Sequence, residues 1–552
     1  MTKPWYKAYP KGVAQTIDPN SYKSIIQLFD ESMQKFPHKQ AYMNMGTTLS
    51  FSELNDLSRD FAAYLQNEVG LKKGDRIAIQ MPNLIQYPIV LFAAIRAGLI
   101  VVNTNPLYTA REMKFQFKDS GAKAIVILAN FAYNLEEVIA DTDIQSVVVT
   151  EIGDMLGFPK RLLINAVVKH VKKMVPKYNL PKAVSFLDAL DIGSEKKFTA
   201  ADTTGDDIAF LQYTGGTTGV SKGAVLTHRN MISNMLQISE WMKPKLKEGE
   251  EIVVTALPLY HIFSLTVNCL SFMRIGGCNI LVTNPKDIPA FIKLLKKANY
   301  TVCTGVNTLY NALMNHPDFT SIDFSKLKIS VAGGMALQKA VSERWMKLTR
   351  TPLVEGYGLT ETSPVATCNP IDGTDRVGTI GVPLPSTDIK LIDEEGRSVK
   401  PGEPGEICVK GPQVTQGYWQ KPDETAKVFT SDGWLKTGDV AIEESDNFFK
   451  IVDRKKDMIL VSGFNVYPNE VEDIVASHAQ VAEVAAIGVS DEKSGEVVKI
   501  FVVKKGPVTE EELIDHCRKS LVAYKVPKHV EFRKELPKTN VGKILRRALR
   551  DS

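Results

Sequence analysis

The sequence predicts an α/β protein: a large N-terminal domain of doubly wound sheets with a small β subdomain, hinged to a small α/β C-terminal lobe. Three observations predict it. Through residues 76–128, and again through 252–357, short apolar runs alternate with amphipathic helical stretches, the pattern of parallel sheets covered by helices. After Gly378 that alternation gives way to short strands punctuated by proline and glycine, as in an antiparallel β unit. At 451–457, Ile-Val-Asp-Arg-Lys-Lys-Asp packs five charges into five residues between apolar strands, which suits an exposed linker better than a core. These features divide the chain into residues 1–453, with the β subdomain over about 378–453, a hinge at 454–456, and a mobile lobe at 457–552.

Taken in order, residues 22–36 place Ile25, Leu28, Phe29, Met33 and Phe36 at helical spacing. Ser50 and Glu53 form a capping box ahead of Leu54, Leu57, Phe61 and Leu65 on one helix face. Strands are predicted at 76–80, 99–103 and 124–128, with helices at 87–97 and 111–118 between them. The stretch 161–175 reads as a basic amphipathic helix, with Lys160, Arg161, Lys169, Lys172, Lys173 and Lys177 and no acid nearby. Two readings stay open there: a solvated surface helix packed on the body, or a helix lying on an anionic membrane. Beyond it, strands are predicted at 252–257, 279–282, 300–306, 327–332 and 353–357. In the last lobe Pro468 opens a helix, strands follow at 481–489 and 497–504, and Thr509 with Glu512 forms another capping box.

The bulk numbers exclude several classes. A chain of 552 residues exceeds one hydrophobic core. A net charge of +4 is small for this length and carries no global argument for nucleic acid. The six cysteines include no C-x-x-C pair, and the eight histidines show no metal-ligand spacing, so reduced thiols in a cytoplasmic protein without zinc are expected. The N-terminus lacks a signal-peptide core, and no apolar run reaches 18 residues. The expected location is the cytoplasm, with peripheral contact on the inner face of the cell membrane through 160–177 as the alternative. Both a monomer and a homodimer remain open.

The chemistry-bearing stretch is Tyr213-Thr-Gly-Gly-Thr-Thr-Gly-Val-Ser-Lys-Gly223. Glycines let backbone approach a ligand, successive N–H groups form an anion nest, hydroxyls add donors and Lys222 adds charge. It suits the phosphates of a nucleotide, although it departs from the P-loop pattern: Gly223 follows the lysine where Ser or Thr would stand. Apolar flanks at 208–211 and 224–226 make it a connection between two strands, with a helix starting after Thr227. Downstream, Glu355-Gly-Tyr-Gly-Leu-Thr-Glu361 offers Tyr357 as an aromatic face for a base. The same stretch holds the Thr360 hydroxyl for a phosphate and Glu361 as a hard oxygen ligand for Mg²⁺. Asp439, after a turn, has the chemistry to accept both hydroxyls of a ribose. His261 follows a strand end, where ligands bind in α/β sheets.

Together these motifs resemble the adenylate-forming superfamily of acyl-CoA synthetases and luciferases. The resemblance spans nearly the whole chain: the loop at 213–223, Tyr357-Gly-Leu-Thr-Glu361, Thr437-Gly-Asp439, Asp453-Arg454 and Pro537-Lys-Thr-Asn-Val-Gly-Lys543 stand in the family's order. The stretch at 432–456 resembles the fatty-acyl-CoA synthetase signature, and that at 457–468 is similar to bacterial long-chain fatty-acid–CoA ligases in particular. That resemblance implies ATP-dependent activation of a fatty acid through an acyl-adenylate to acyl-CoA, with Mg²⁺, ATP and CoA. It implies that Lys543 bridges the carboxylate and α-phosphate, and that Thr360 contacts the α-phosphate. Thr214, Gly215, Gly216, Thr217, Thr218, Gly219 and Lys222 then hold the phosphates. Gly334, Met335, Glu355, Gly356 and Tyr357 hold the base, and Asp439 with Arg454 holds the ribose. Ser462, Gly463 and Phe464 line the CoA path after rotation about Lys456. His261, Phe263 and Gly305 are the acyl-side candidates. Ser221 stands where many members have proline, and Lys456 where others often have aspartate. An amino-acid adenylation domain, a luciferase-like oxygenase and a non-enzymatic lipid-binding scaffold are the rivals. The first lacks its usual aspartate near 260–261, and the last fits poorly with an intact Lys543 and Glu361.

Overall fold

In the computed structural model, residues 3–214, 221–539 and 542–550 are described. Two large sheets form the body. One has seven strands in the order Val184–Ser185, Ser146–Thr150, Ala124–Leu128, Arg76–Gln80, Ile100–Asn103, Ile208–Thr214 and Lys222–Thr227. Its neighbours are parallel until the last pair, which is antiparallel. The other has nine strands, with a parallel centre running Leu353–Gly358, Ile329–Gly333, Val302–Gly305, Ile252–Thr255, Cys278–Leu281 and Gln40–Asn44. Antiparallel strands close both of its edges.

The helices between these sheets follow the apolar spacing read above. Ile25–Lys35, Phe51–Asn67, Gln86–Arg96 and His228–Met242 share one continuous core with residues from both sheets. Every residue of Gln86–Arg96 is buried, the expected state of a helix that is apolar all round. The Ser50–Glu53 capping box forms, and so does one at Thr227, whose hydroxyl caps His228–Met242 as the sequence suggested. All six cysteines are buried and free.

Beyond the two sheets the chain becomes antiparallel. Asp388–Ile392, Pro404–Lys410, Leu435–Glu443 and Phe449–Arg454 form a four-stranded meander. The strand Val382–Pro383, inside the span assigned to the β subdomain, joins the nine-stranded sheet instead, because Val382 is fully buried opposite Cys368. The C-terminal unit is smaller, a five-stranded sheet carrying the helices Pro468–Ala476 and Glu510–Arg518. It has its own core around Val466, Val471, Ile500 and Leu513, separate from those of the body.

The basic segment differs from the expected single helix. Lys160–Ala166 is α-helical and then widens to a π-turn over Val167–Val171, and none of these residues is buried. The glycine- and threonine-rich residues Gly215, Gly216, Thr217, Thr218 and Gly219 lie outside the described residues.

Candidate active site

The carboxyl ends of the central strands, the hairpin at Thr214 and Lys222, the meander and the small domain enclose one cavity of about 1380 Å³. Its position obeys the rule that ligands bind beyond the carboxyl ends of an open α/β sheet. Fifteen residues singled out in the sequence line it: Thr214, Lys222, His261, Phe263, Gly334, Met335, Glu355, Gly356, Tyr357, Thr360, Glu361, Asp439, Arg454, Lys456 and Lys543.

One corner is set by sheet register. Asp439 and Arg454 are Cα partners on adjacent antiparallel strands, and their side chains meet at 3.3 Å. The Tyr357 hydroxyl donates to Asp439 Oδ2 at 2.8 Å. Burial raises the Asp439 carboxyl above its ordinary value, with Arg454 opposing. Glu355, two residues before Tyr357 in the same strand, accepts from the Leu337 N–H at 3.2 Å. Burial pushes its carboxyl up to about 8.

The turn after Tyr357 is forced by a glycine. A Cβ on Gly358 would lie 1.8 Å from the Pro364 carbonyl oxygen, so only glycine permits the hairpin that carries Thr360 and Glu361. Glu361 Oε1 accepts from the Tyr418 hydroxyl at 2.7 Å. Tyr418 belongs to a segment laid against the hairpin at Thr214 and Lys222, where Val225 N–H donates to the Gly417 carbonyl (2.9 Å) and Trp419 N–H donates to the Gly223 carbonyl (2.8 Å). Glu424 in that segment pairs with Lys222, whose ammonium also lies 5.2 Å from the Tyr418 ring centre. The base of the hairpin is held by Asp119, which accepts from Tyr213 at 2.8 Å and pairs with Lys421 at 3.0 Å.

Lys543 reaches this wall from the small domain. The turn before it is tied to the body by the Thr308 hydroxyl, which donates to the Gly542 carbonyl at 3.1 Å. A Cβ on Gly334 would lie 3.3 Å from Lys543 Cε, so the glycine leaves room for the lysine stem. Burial first, and Arg454 second, push the ammonium down to about 8, against Asp439 and Glu361. His261 is pushed down to about 3 by burial and then by Lys543, so it is neutral at physiological pH. Its Nδ1 accepts from Phe263 N–H at 3.3 Å.

Four of the expected residues are placed elsewhere. Ser462, Gly463 and Phe464 do not line the cavity, and the exposed Phe464 stacks on Tyr524 with centroids 4.7 Å apart. Gly305 is not among the lining residues either, and a Cβ there would meet the Tyr310 ring at 2.9 Å, so its open side faces the core. Sequence reading missed Tyr418, Glu424 and Asp119, whose contacts join segments far apart in the chain. It also missed an apolar branch of the cavity formed by Ile238, Trp241, Met242, Val267 and Ile371. The apolar residues recurring through His228–Met242, ending in Ile238, Trp241 and Met242, were a usable signal for three of those five.

A chamber of about 1380 Å³ at the carboxyl ends of a large domain's strands, closed by a small domain that places Lys543 in it, is the arrangement of an adenylate-forming enzyme. Comparison with known proteins agrees. Residues 29–419 match the AMP-binding enzyme model and residues 470–543 match the AMP-binding enzyme C-terminal domain. The chain is 56% identical, over all of its length and 98% of the relative's, to a long-chain-fatty-acid–CoA ligase of Escherichia coli O157:H7. Among solved structures it resembles ATP-bound MatB from Rhodopseudomonas palustris, with a TM-score of 0.82 and 28% identity over 95% of this chain and 98% of that one. The anthranilate CoA ligase AuaEII with anthranoyl-AMP shares the fold at a TM-score of 0.86, with 23% identity over 97% of this chain and 98% of that one. The chain belongs to the AMP-binding enzyme family.

Proposed function

We propose that this chain activates a long-chain fatty acid with ATP, through an acyl-adenylate, and transfers the acyl group to CoA. Full-length identity of 56% to a ligase of that name is the observation that carries the reading. The site chemistry suits it. A carboxylate oxygen attacks the α-phosphorus of ATP, the bond to the β-phosphate oxygen breaks, and pyrophosphate leaves. The CoA thiolate then attacks the acyl carbon and AMP leaves. The first step places growing charge on phosphoryl oxygens, which calls for fixed cations and donors and no nucleophilic side chain.

In this reading Lys543 spans the fatty-acid carboxylate and the α-phosphate, beside Thr360. Tyr357 and the 334–335 edge cover adenine, with Glu355 and Gly356 behind it. Asp439 and Arg454 take the ribose. Lys222, which pairs with Glu424, exchanges that carboxylate for pyrophosphate oxygens. Glu361, whose one oxygen is held by Tyr418, presents the other to the cavity, a donor type that fits Mg²⁺. When bound, that ion screens phosphate charge. The neutral His261, Phe263 and the apolar branch at Ile238, Trp241 and Met242 form the acyl side. For the second step the small domain rotates about 454–456, withdrawing Lys543 and bringing Ser462, Gly463 and Phe464 to the carbonyl. Phe464, stacked on Tyr524 yet 56% exposed, leaves ring surface open for a second docking position.

The segment at 158–174 supports peripheral contact with an anionic membrane. Phe158, Leu163 and Val171 are 81%, 64% and 74% exposed, among Lys160, Arg161, Lys169, Lys172 and Lys173. Basic and apolar groups together are what an interfacial segment needs. Among the described residues no helix is long and apolar enough to cross a membrane.

The reading is tested by pyrophosphate release from MgATP with fatty acids of graded length, with and without CoA. Release that needs long acids, with acyl-CoA formed when CoA is added, is expected. Release without thioester would transfer the acceptor role to another thiol.

A further inference from the structure

We infer that Arg546 and Asp453 form a clasp between the small domain and the body that seats Lys543, which makes Arg546 a positioning residue for adenylate formation. The inference rests on the proposed two-step reaction only where it assigns the clasp to one of the two steps.

Asp453 lies in the strand Phe449–Arg454, on the body side of the linker. Its carboxylate has no solvent exposure. Oδ1 accepts from the Arg454 N–H at 2.7 Å and from Arg546 Nη1 at 3.1 Å, and Oδ2 accepts from the Asn469 N–H at 2.8 Å. Asn469 stands in the first turn of Pro468–Ala476, so Asp453 also meets the positive end of that helix. One carboxylate of the body therefore holds two separate elements of the small domain.

Arg546 is saturated in turn. Nε and Nη2 grip Glu472 at 3.0 and 2.8 Å, Nη2 donates to Asn469 Oδ1 at 2.6 Å, and Nη1 reaches Asp453. A planar guanidinium with all three nitrogens engaged fixes direction as well as distance. Arg546 begins the short helix Arg546–Arg550, and Arg550 bonds Asp457 at 2.8 Å. Lys543 lies three residues before Arg546, on the turn that enters the cavity. Fixing Arg546 against the body therefore fixes where the Lys543 stem starts.

Packing Asp453, Asp457 and Glu472 around the largely buried Arg546 is a poor way to gain stability, since desolvation offsets most of the attraction. Such a network is suited to specifying one arrangement among several. Asp453 is the member contributed by the body, so rotation about 454–456 has to break its bonds to Arg546 and Asn469. The clasp is closed while Lys543 is in the cavity and open during thioester formation.

The experiment separates the half-reactions in Asp453→Asn and Arg546→Lys, with Lys543→Ala for comparison. Fatty-acid-dependent exchange of pyrophosphate into ATP reports adenylation, and transfer from preformed acyl-adenylate to CoA reports the second step. Both clasp variants are expected to lose about a hundredfold in exchange, the scale of breaking one partner of a buried pair. Transfer is expected to stay within about threefold of the parent, because an open clasp already suits it. Trypsin cutting at 454–456, measured without any substrate, should accelerate in the clasp variants and not in Lys543→Ala, which keeps the clasp. Equal losses in both half-reactions, or unchanged trypsin cutting, would overturn the inference. Arg546→Lys keeps the charge and guards against a variant that fails to fold. Absence of exchange in the parent protein would sink the proposed function instead, and the trypsin comparison would still judge the clasp.

Discussion

The two walls of the cavity are built on opposite principles. The wall proposed for the nucleotide stands on sheet register and glycine sterics: Asp439 faces Arg454 across a ladder, and the turn carrying Thr360 and Glu361 exists because Gly358 has no Cβ. The opposing wall comes from the small domain, where Lys543 stands beside Lys538, Arg546 and Glu472 and is anchored by a few largely buried charges. The first wall can hold one geometry, and in the proposed reaction the second is withdrawn. Chemistry that needs two different surfaces at one carbonyl is served by that asymmetry.

The sharpest way to break the comparison is to empty one wall and leave the other. Lys543→Ala is expected to reduce adenylate formation by on the order of a thousandfold, as for the loss of a main charge-stabilising group. ATP affinity, set by the other wall, should change by no more than about threefold, since the lost group acts on charge that develops during reaction. Pyrophosphate exchange and equilibrium nucleotide binding measure the two numbers, and a joint collapse of both would contradict the division.

Next in size is damage to the fixed wall. Gly358→Ala drives a Cβ toward the Pro364 carbonyl, so the hairpin must shift at a cost of about 3 kcal/mol, the upper range for overpacking. The result expected is a lower thermal midpoint together with weakened nucleotide binding. A Gly438→Ala control, where nothing lies within 4 Å of the added Cβ, should be milder and limited to the strain of its positive φ. A smaller effect is expected from Tyr418→Phe, which frees Glu361 Oε1 while keeping the ring under Lys222. Removing such a supporting partner weakens metal binding by about tenfold, read as a raised Mg²⁺ requirement for pyrophosphate release.

The two walls also differ in how far they could be read from sequence. The hairpin strands, the Thr227 cap and the chamber residues at 355–361 carried local signals: apolar flanks, capping spacing, paired glycines. The supports did not, because each joins distant segments. Tyr418 and Glu361 are 57 residues apart, Lys222 and Glu424 are 202 apart, and Arg546 and Asp453 are 93 apart. A charge run at 453–457 reads as a solvated linker on composition, yet Asp453 is fully buried because Arg546 reaches it from the far end of the chain. Gly305 shows the same limit in miniature. Its place at a strand end was legible, but the direction of its missing side chain, toward Tyr310, depends on how the next helix packs.

The smallest effect separates the walls by pH. Lys543 has a folded value of about 8, depressed from the ordinary lysine value of 10.5. For a depressed group, the stabilising contribution is present above the unfolded value and is lost as pH falls through the folded one. Seating the lysine is thus easiest at alkaline pH, where it is neutral and least useful. Adenylation needs the cation, so kcat/KM, which follows the free enzyme, should decline above about pH 8. With ATP and acid bound, two anions at the ammonium favour its charged form, and the decline in kcat should move to higher pH. Glu355 on the fixed wall also has a value of about 8, raised by burial, so the profile of the parent protein cannot by itself assign the group. For a raised carboxyl the stability present below its unfolded value is lost as pH rises through about 8. Lys543→Arg should therefore remove the alkaline fall in kcat/KM while leaving the alkaline loss of thermal stability, and Glu355→Gln should do the reverse. If Glu355→Gln alone flattened both curves, the titrating cation would not be Lys543, and the withdrawable wall would lose its electrostatic role in the first step.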